Sequence, residues 1–257
     1  MTRIPRRHLA LTLALVLGAL MPAEAGIILL SGDSNLGNPI DGSSFAPVDP
    51  GNAVWFTNIL GAGTTVKIQN EFLSGSPLAS FAAINTHYNG LTGVTSSLFA
   101  GTITDAVLNG VDLFIAAMPS DAYAASEIGA LSTFVSGGGT LFFLGDNGFC
   151  CDPENARINA ALAALGSGMS LLDMTLDSGF HTATGVQIAA DPFNTGVTSF
   201  TYAAVSGVSG GTFLFKSTDG TPFVAHEGVE APIPEPATIG LLALGLAGIA
   251  RARRRRH

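Results

Sequence analysis

Charge is scarce in this chain of 257 residues: 12% are Asp, Glu, Lys or Arg, against 47% hydrophobic. Lysine is almost missing, with only Lys67 and Lys216, and there are two cysteines and one tryptophan. So little charge beside so much apolar content excludes a disordered chain. No apolar run reaches the ~20 residues of a comfortable membrane span. There is no HExxH, EF-hand spacing or nine-residue calcium repeat, and His87 and His181 stand isolated. Gly137-Gly138-Gly139 follows a helical pattern where a phosphate-cradling loop would open one.

The charge that is present is unevenly placed. Residues 1–25 hold Arg3, Arg6 and Arg7 against Glu24, and residues 235–257 hold five Arg against Glu235. Between them, residues 26–234 set Lys67, Arg157 and Lys216 against seventeen acidic residues, a net charge of −14. The formal charge of −8 is the sum of this body and its two basic ends. An acidic body repels phosphate backbones, so no nucleic-acid partner is expected.

Arg3, Arg6 and Arg7 precede the apolar run Leu9–Met21, and Ala23-Glu24-Ala25 follows. This is the basic, apolar and small-residue order of a secretory signal peptide over residues 1–25. Signal peptidase would read Ala23 and Ala25 and leave Gly26 at the mature N-terminus. At the other end stand Pro234-Glu235-Pro236, the apolar stretch Ala237–Ala250 and the cluster Arg251–Arg256. The prolines forbid a helix before the apolar stretch, and the arginines stay cytoplasmic. These three parts, in this order, resemble the PEP-CTERM sorting signal, here residues 231–257. The resemblance implies a Gram-negative envelope protein that is inserted transiently in the inner membrane by a short transmembrane helix. It also implies processing there by an exosortase and delivery to the cell surface or the exopolysaccharide matrix.

Residues 26–230 read as one α/β domain. Gly26–Leu30 predicts a buried strand that ends at Ser31-Gly32-Asp33-Ser34-Asn35. Asp49-Pro50 opens a helix that presents Trp55, Ile59, Phe56 and Leu60 at helical spacing. A strand over Thr64–Ile68 and a helix over Pro77–His87 follow. Val111–Ala116, the stripe Ala124, Ile128, Leu131 and Phe134/Val135, and Thr140–Leu144 predict strand, helix and strand. Asp152-Pro153 starts another helix, and Met169–Leu176 reads as a further strand. This alternation predicts a three-layer sandwich around a mainly parallel sheet. From about residue 185 the short runs Val186–Ala189, Val197–Ala203, Thr212–Lys216 and Pro222–His226 predict edge strands in a β-rich C-terminal part.

The stretch Asp112–Gly166 resembles class I glutamine-amidotransferase-like domains, closest to their non-catalytic branches. The resemblance implies a flavodoxin-like sandwich. Catalytic members place a Cys nucleophile in a Gly-x-Cys-x-Gly turn after a strand. Here the matching turn is Gly145-Asp146-Asn147-Gly148, with Asn147 at that position. The family's His and Glu lie two apart on one strand face, whereas His226 and Glu227 are adjacent and point to opposite faces.

Other chemistry rests on few residues. Cys150 and Cys151 are the only cysteines, and their Cα atoms are ~3.8 Å apart, below the usual disulfide range. They read first as a structural or redox-linked pair, and second as a thiol nucleophile with His181 as a base. Asp33, Asp121 and Asp146 follow strand ends, where parallel sheets bind ligands. They are helix or turn caps on the plainer reading, and oxygen ligands for Ca2+ on the other. Asp33 and Asp146, with Cys150 and His181, are also the candidates for a hydrolase acting on polysaccharide or peptide. The leading expectation is an exported surface or matrix protein with a binding or structural body. An envelope hydrolase and a calcium-stabilised matrix module are the alternatives.

Overall fold

The computed structural model describes residues 26–37, 48–70 and 76–229. The candidate processing residues Ala23, Ala25, Pro234, Glu235 and Pro236 lie outside these, while Gly26 opens the first strand. Among the described residues no helix is long and apolar enough to cross a membrane. The expected tail helix, residues 237–250, lies outside them.

The elements follow in order: β1 (Gly26–Ser31), α1 (Pro50–Leu60), β2 (Thr65–Asn70), α2 (Ser76–Gly90) and β3 (Thr95–Phe99). Then come α3 (Asp105–Leu108), β4 (Leu113–Ala117), α4 (Ala125–Ser136), β5 (Thr140–Leu144) and α5 (Gly148–Ala164). The last part holds β6 (Ser170–Leu171), β7 (His181–Thr184), β8 (Ser199–Tyr202), β9 (Val208–Ser209), β10 (Thr212–Lys216) and β11 (Pro222–Val229). One seven-stranded sheet runs β10-β11-β1-β5-β4-β2-β3. Its pairs from β1 to β3 are parallel, and β11 and β10 are antiparallel additions.

Strands covered on both faces read as near-continuous apolar runs. In β5, Phe142 and Leu144 face one layer and Leu141 and Phe143 the other. On the first face lie Trp55 and Phe56 of α1, Phe81, Ile84 and Tyr88 of α2, and Phe200 and Tyr202 of β8. On the second lie Ala130, Leu131 and Val135 of α4 with Ile158, Ala161 and Leu162 of α5. The expected three-layer α/β sandwich with a mainly parallel sheet is therefore the observed architecture. Gly26 shows how tightly the layers meet: a Cβ there would stand 1.9 Å from the Val135 carbonyl oxygen.

Three local expectations change. Met169–Leu176 does not extend the main sheet: only Ser170–Leu171 is strand, paired with β9 in a separate ribbon. Val186–Ala189 gives a 3-10 turn at Gly185–Gln187, which leaves Ile188 to bridge Phe215. Pro222–Val229 is no edge strand but an inner one, between β1 and β10. Asp49 does stand before α1 with Pro50 in the first turn, yet its side chain makes no cap bond. α5 begins before Asp152-Pro153, and Cys151, at φ −138° and ψ 27°, breaks it there. Pro153 thus sits in the first turn after the break, where its missing N–H costs no helical bond.

Candidate functional site

β1 and β5 are parallel neighbours, with Ser31 opposite Leu144. Asp33 and Asp146 each stand two residues beyond their strand, so the two carboxyls converge at the C-terminal end of the sheet. They are almost wholly buried, at 0% and 3% exposure. Every carboxylate oxygen has a protein donor. Asp33 Oδ1 accepts the Asn35 N–H and Oδ2 the Ala203 N–H, both at 2.7 Å. Asp146 Oδ1 accepts the Asn147 backbone N–H at 2.7 Å and the Asn147 amide at 2.8 Å. Asp146 Oδ2 accepts the Ser34 hydroxyl and, at 3.1 Å, the Asn35 amide.

Asn155 of α5 clamps the same turn. Its Oδ1 accepts the Asp146 N–H at 3.1 Å, and its Nδ2 donates to the Asp146 carbonyl at 2.6 Å and to Ser206 Oγ at 3.2 Å. The Ser206 N–H donates in turn to the Gly32 carbonyl at 2.9 Å. A Cβ on Gly32 would lie 2.0 Å from the Ser206 oxygen, so only glycine permits this approach. The network ties β1, β5, α5 and the β-rich C-terminal part together at one point.

Burial here acts on the titration of both acids. Desolvation, then the neighbouring Asp146 charge, pushes Asp33 up from 3.8 to about 7, against the N–H bonds from Ala203 and Asn35. Desolvation also raises Asp146, opposed by its bonds from Ser34 and Asn147.

Asn147 caps α5, its Oδ1 accepting the Cys150 N–H at 3.3 Å. Asn147→Ala is expected to lower stability by about 1–2 kcal/mol, read as a shift in urea midpoint. Cys150 and Cys151 are joined by a disulfide, and no described cysteine is free. An Asp146 oxygen lies within 4.8 Å of both sulfurs. Phe149 beside them is 94% exposed.

The other sequence candidates fall elsewhere. Asp121 is exposed, and its carboxylate accepts from the Ser120 hydroxyl at 3.4 Å. His181 on β7 bonds the Ser178 carbonyl at 3.0 Å and stacks on Tyr202, with ring centroids 5.8 Å apart. Tyr202 donates its hydroxyl to Asp177 at 2.6 Å. His226 contacts Asp191 at 3.1 Å, whereas Glu227 accepts the Gly168 N–H, so the two do lie on opposite sheet faces. A cavity of about 300 Å³ is lined by Val48, Ala83, Thr86, His87, Gly90 and Leu91, none of them in the carboxyl network.

Sequence reasoning missed Asn155, Ser206 and the Ala203 N–H. Asn155 carries a readable signal: it stands on the same helical face as Ile158 and Leu162, a polar residue within an apolar stripe. The other two lie more than 50 residues from the groups they bond, and no local pattern announces them.

No curated protein matches the chain. Among solved structures it is similar to the mmIFT52 N-terminal domain, with 16% identity and a TM-score of 0.42, covering 51% of this chain and 70% of that one. That overlap carries no argument about fold or function. Residues 232–256 match the PEP-CTERM protein-sorting motif. The match supports an exported protein that is sorted by an exosortase system to a cell-surface or extracellular destination.

Proposed function

We propose that this protein is a surface or exopolysaccharide-matrix component whose exported body is a non-catalytic binding or structural α/β domain. The observation that carries the reading is the turn after β5. At the place where an amidotransferase-like elbow presents its nucleophile, Asn147 caps α5 through its side chain. Kinship with the non-catalytic amidotransferase-like domains belongs to this reading. The buried carboxyls support it further. Glycosidase acids must reach a sugar, and Asp33 and Asp146 instead accept from protein donors on every oxygen.

Two measurements test this. Replacing Pro234-Glu235-Pro236 with three alanines is expected to hold the protein in the inner membrane with its tail attached, read by fractionation and mass spectrometry. Normal surface delivery of that variant overturns the sorting half. The exported protein is expected to hydrolyse peptide and polysaccharide panels no faster than Asp146→Asn. A turnover abolished by Asp146→Asn overturns the non-catalytic half.

A further inference from the structure

Two joined sulfurs stand beside the break in α5. Cys150 is exposed and Cys151 is 8% exposed, so the two sulfurs differ in access. Cys150 is the third residue after Asn147 and stands immediately before the break in α5 at Cys151. Adjacent residues hold their Cα atoms 3.8 Å apart, closer than the ~4.4–6.8 Å of ordinary disulfides. The bond also closes no loop, so the chain-entropy gain that makes most disulfides structural is negligible here. An Asp146 oxygen lies within 4.8 Å of both sulfurs. Phe149, almost fully exposed, gives an incoming chain an apolar contact next to Cys150.

We propose that the Cys150–Cys151 disulfide is a thiol–disulfide exchange site that accepts electrons from a thiol-bearing partner protein. The partner's thiolate attacks Cys150 Sγ, the accessible sulfur. A partner–Cys150 sulfur bond forms, the Cys150–Cys151 bond breaks, and Cys151 leaves as a thiolate and takes a proton. A second partner thiolate then attacks the partner sulfur of the mixed disulfide, and Cys150 leaves and is protonated. Two partner thiols become one disulfide, and the disulfide here becomes two thiols, so two electrons and two protons are transferred.

The test uses the exported protein, purified without reductant, with reduced and oxidised glutathione as the probe. Samples from graded glutathione buffers are quenched by alkylation and weighed, with circular dichroism followed in parallel. The expected result is reduction of Cys150–Cys151 in protein that keeps its folded spectrum. Reduction that occurs only together with unfolding overturns the proposal. Cys151→Ser and Cys150→Ser then separate the two sulfurs: the thiol of Cys151→Ser is expected to react with oxidised glutathione at least about tenfold faster than the thiol of Cys150→Ser. Equal rates in folded variants overturn the assignment of Cys150 as the attacked sulfur. If neither variant folds, the wild-type titration decides alone.

Discussion

Trp55→Ala is expected to destabilise the body by about 3–5 kcal/mol, enough to unfold a large share of a marginally stable domain. Trp55 is fully buried in α1 and meets Phe56, Phe142, Phe200 and Phe215 edge-on, with ring centroids 5.3–5.7 Å apart. These rings come from α1, β5, β8 and β10, so one side chain joins the parallel sheet to the C-terminal part. Deletion removes four edge-to-face contacts and opens a cavity that the stiff sheet cannot close. Trp55→Phe keeps a ring in the cluster and so reads how much of the loss is packing. The Trp55 Nε1–H is buried without a hydrogen-bond partner among the described residues. Phenylalanine removes that unpaired donor and restores part of the volume, so its cost is expected to be under half that of alanine. Urea denaturation followed by circular dichroism checks both. Equal losses for the two variants would show that a phenyl ring recovers none of the packing of the indole.

A second large effect is expected from pH, with a sign opposite to that of acids whose pKa is lowered by ion pairing. Asp33 titrates near 7 in the folded protein and from 3.8 as the reference. The folded state therefore binds the proton more tightly than the unfolded chain. Its stabilising contribution is complete below about pH 4 and is lost as pH rises through about 7. His87 acts the other way, because burial lowers its pKa from 6.5. Asp146→Asn removes the charge that helps raise Asp33 while leaving His87 untouched, so the two proteins are best compared directly. Between pH 5 and 8 the wild type is expected to lose about 1–3 kcal/mol more than Asp146→Asn, read from urea midpoints at each pH. Parallel pH curves would overturn the coupling of the two carboxyls.

The same two sites show what the chain discloses and what it withholds. Trp55, Phe56, Ile59 and Leu60 declare a buried helical face by spacing alone, and all four are buried. Thr140–Leu144 is a strand with the expected bounds, because its apolar run is closed by glycine on both sides. β11 was legible as a strand but not as an inner one. Its position depends on pairing with β1, nearly 200 residues away. Asp33 and Asp146 were legible as strand-end acids. That they meet through Ser34 and Asn35 depends on β5 settling beside β1. Cys150 and Cys151 marked a singular place, but the break in α5 that lets them pair belongs to backbone angles, not to composition.

The pairing of Gly26 with Val229 has a consequence in time as well as in space. β1 is the first strand of the body to be made and β11 the last, yet they are neighbours inside the sheet. One side of β1 therefore has no partner until residue 229 is available, so sheet closure waits for almost the whole body. In the folded body Gly26 and Val229 are paired at one pole of the sheet. Asp33, six residues of strand away, lies at the other pole with Asp146 and the disulfide. The carboxyls and the disulfide therefore stand roughly 20 Å from the pole that Gly26 and Val229 share.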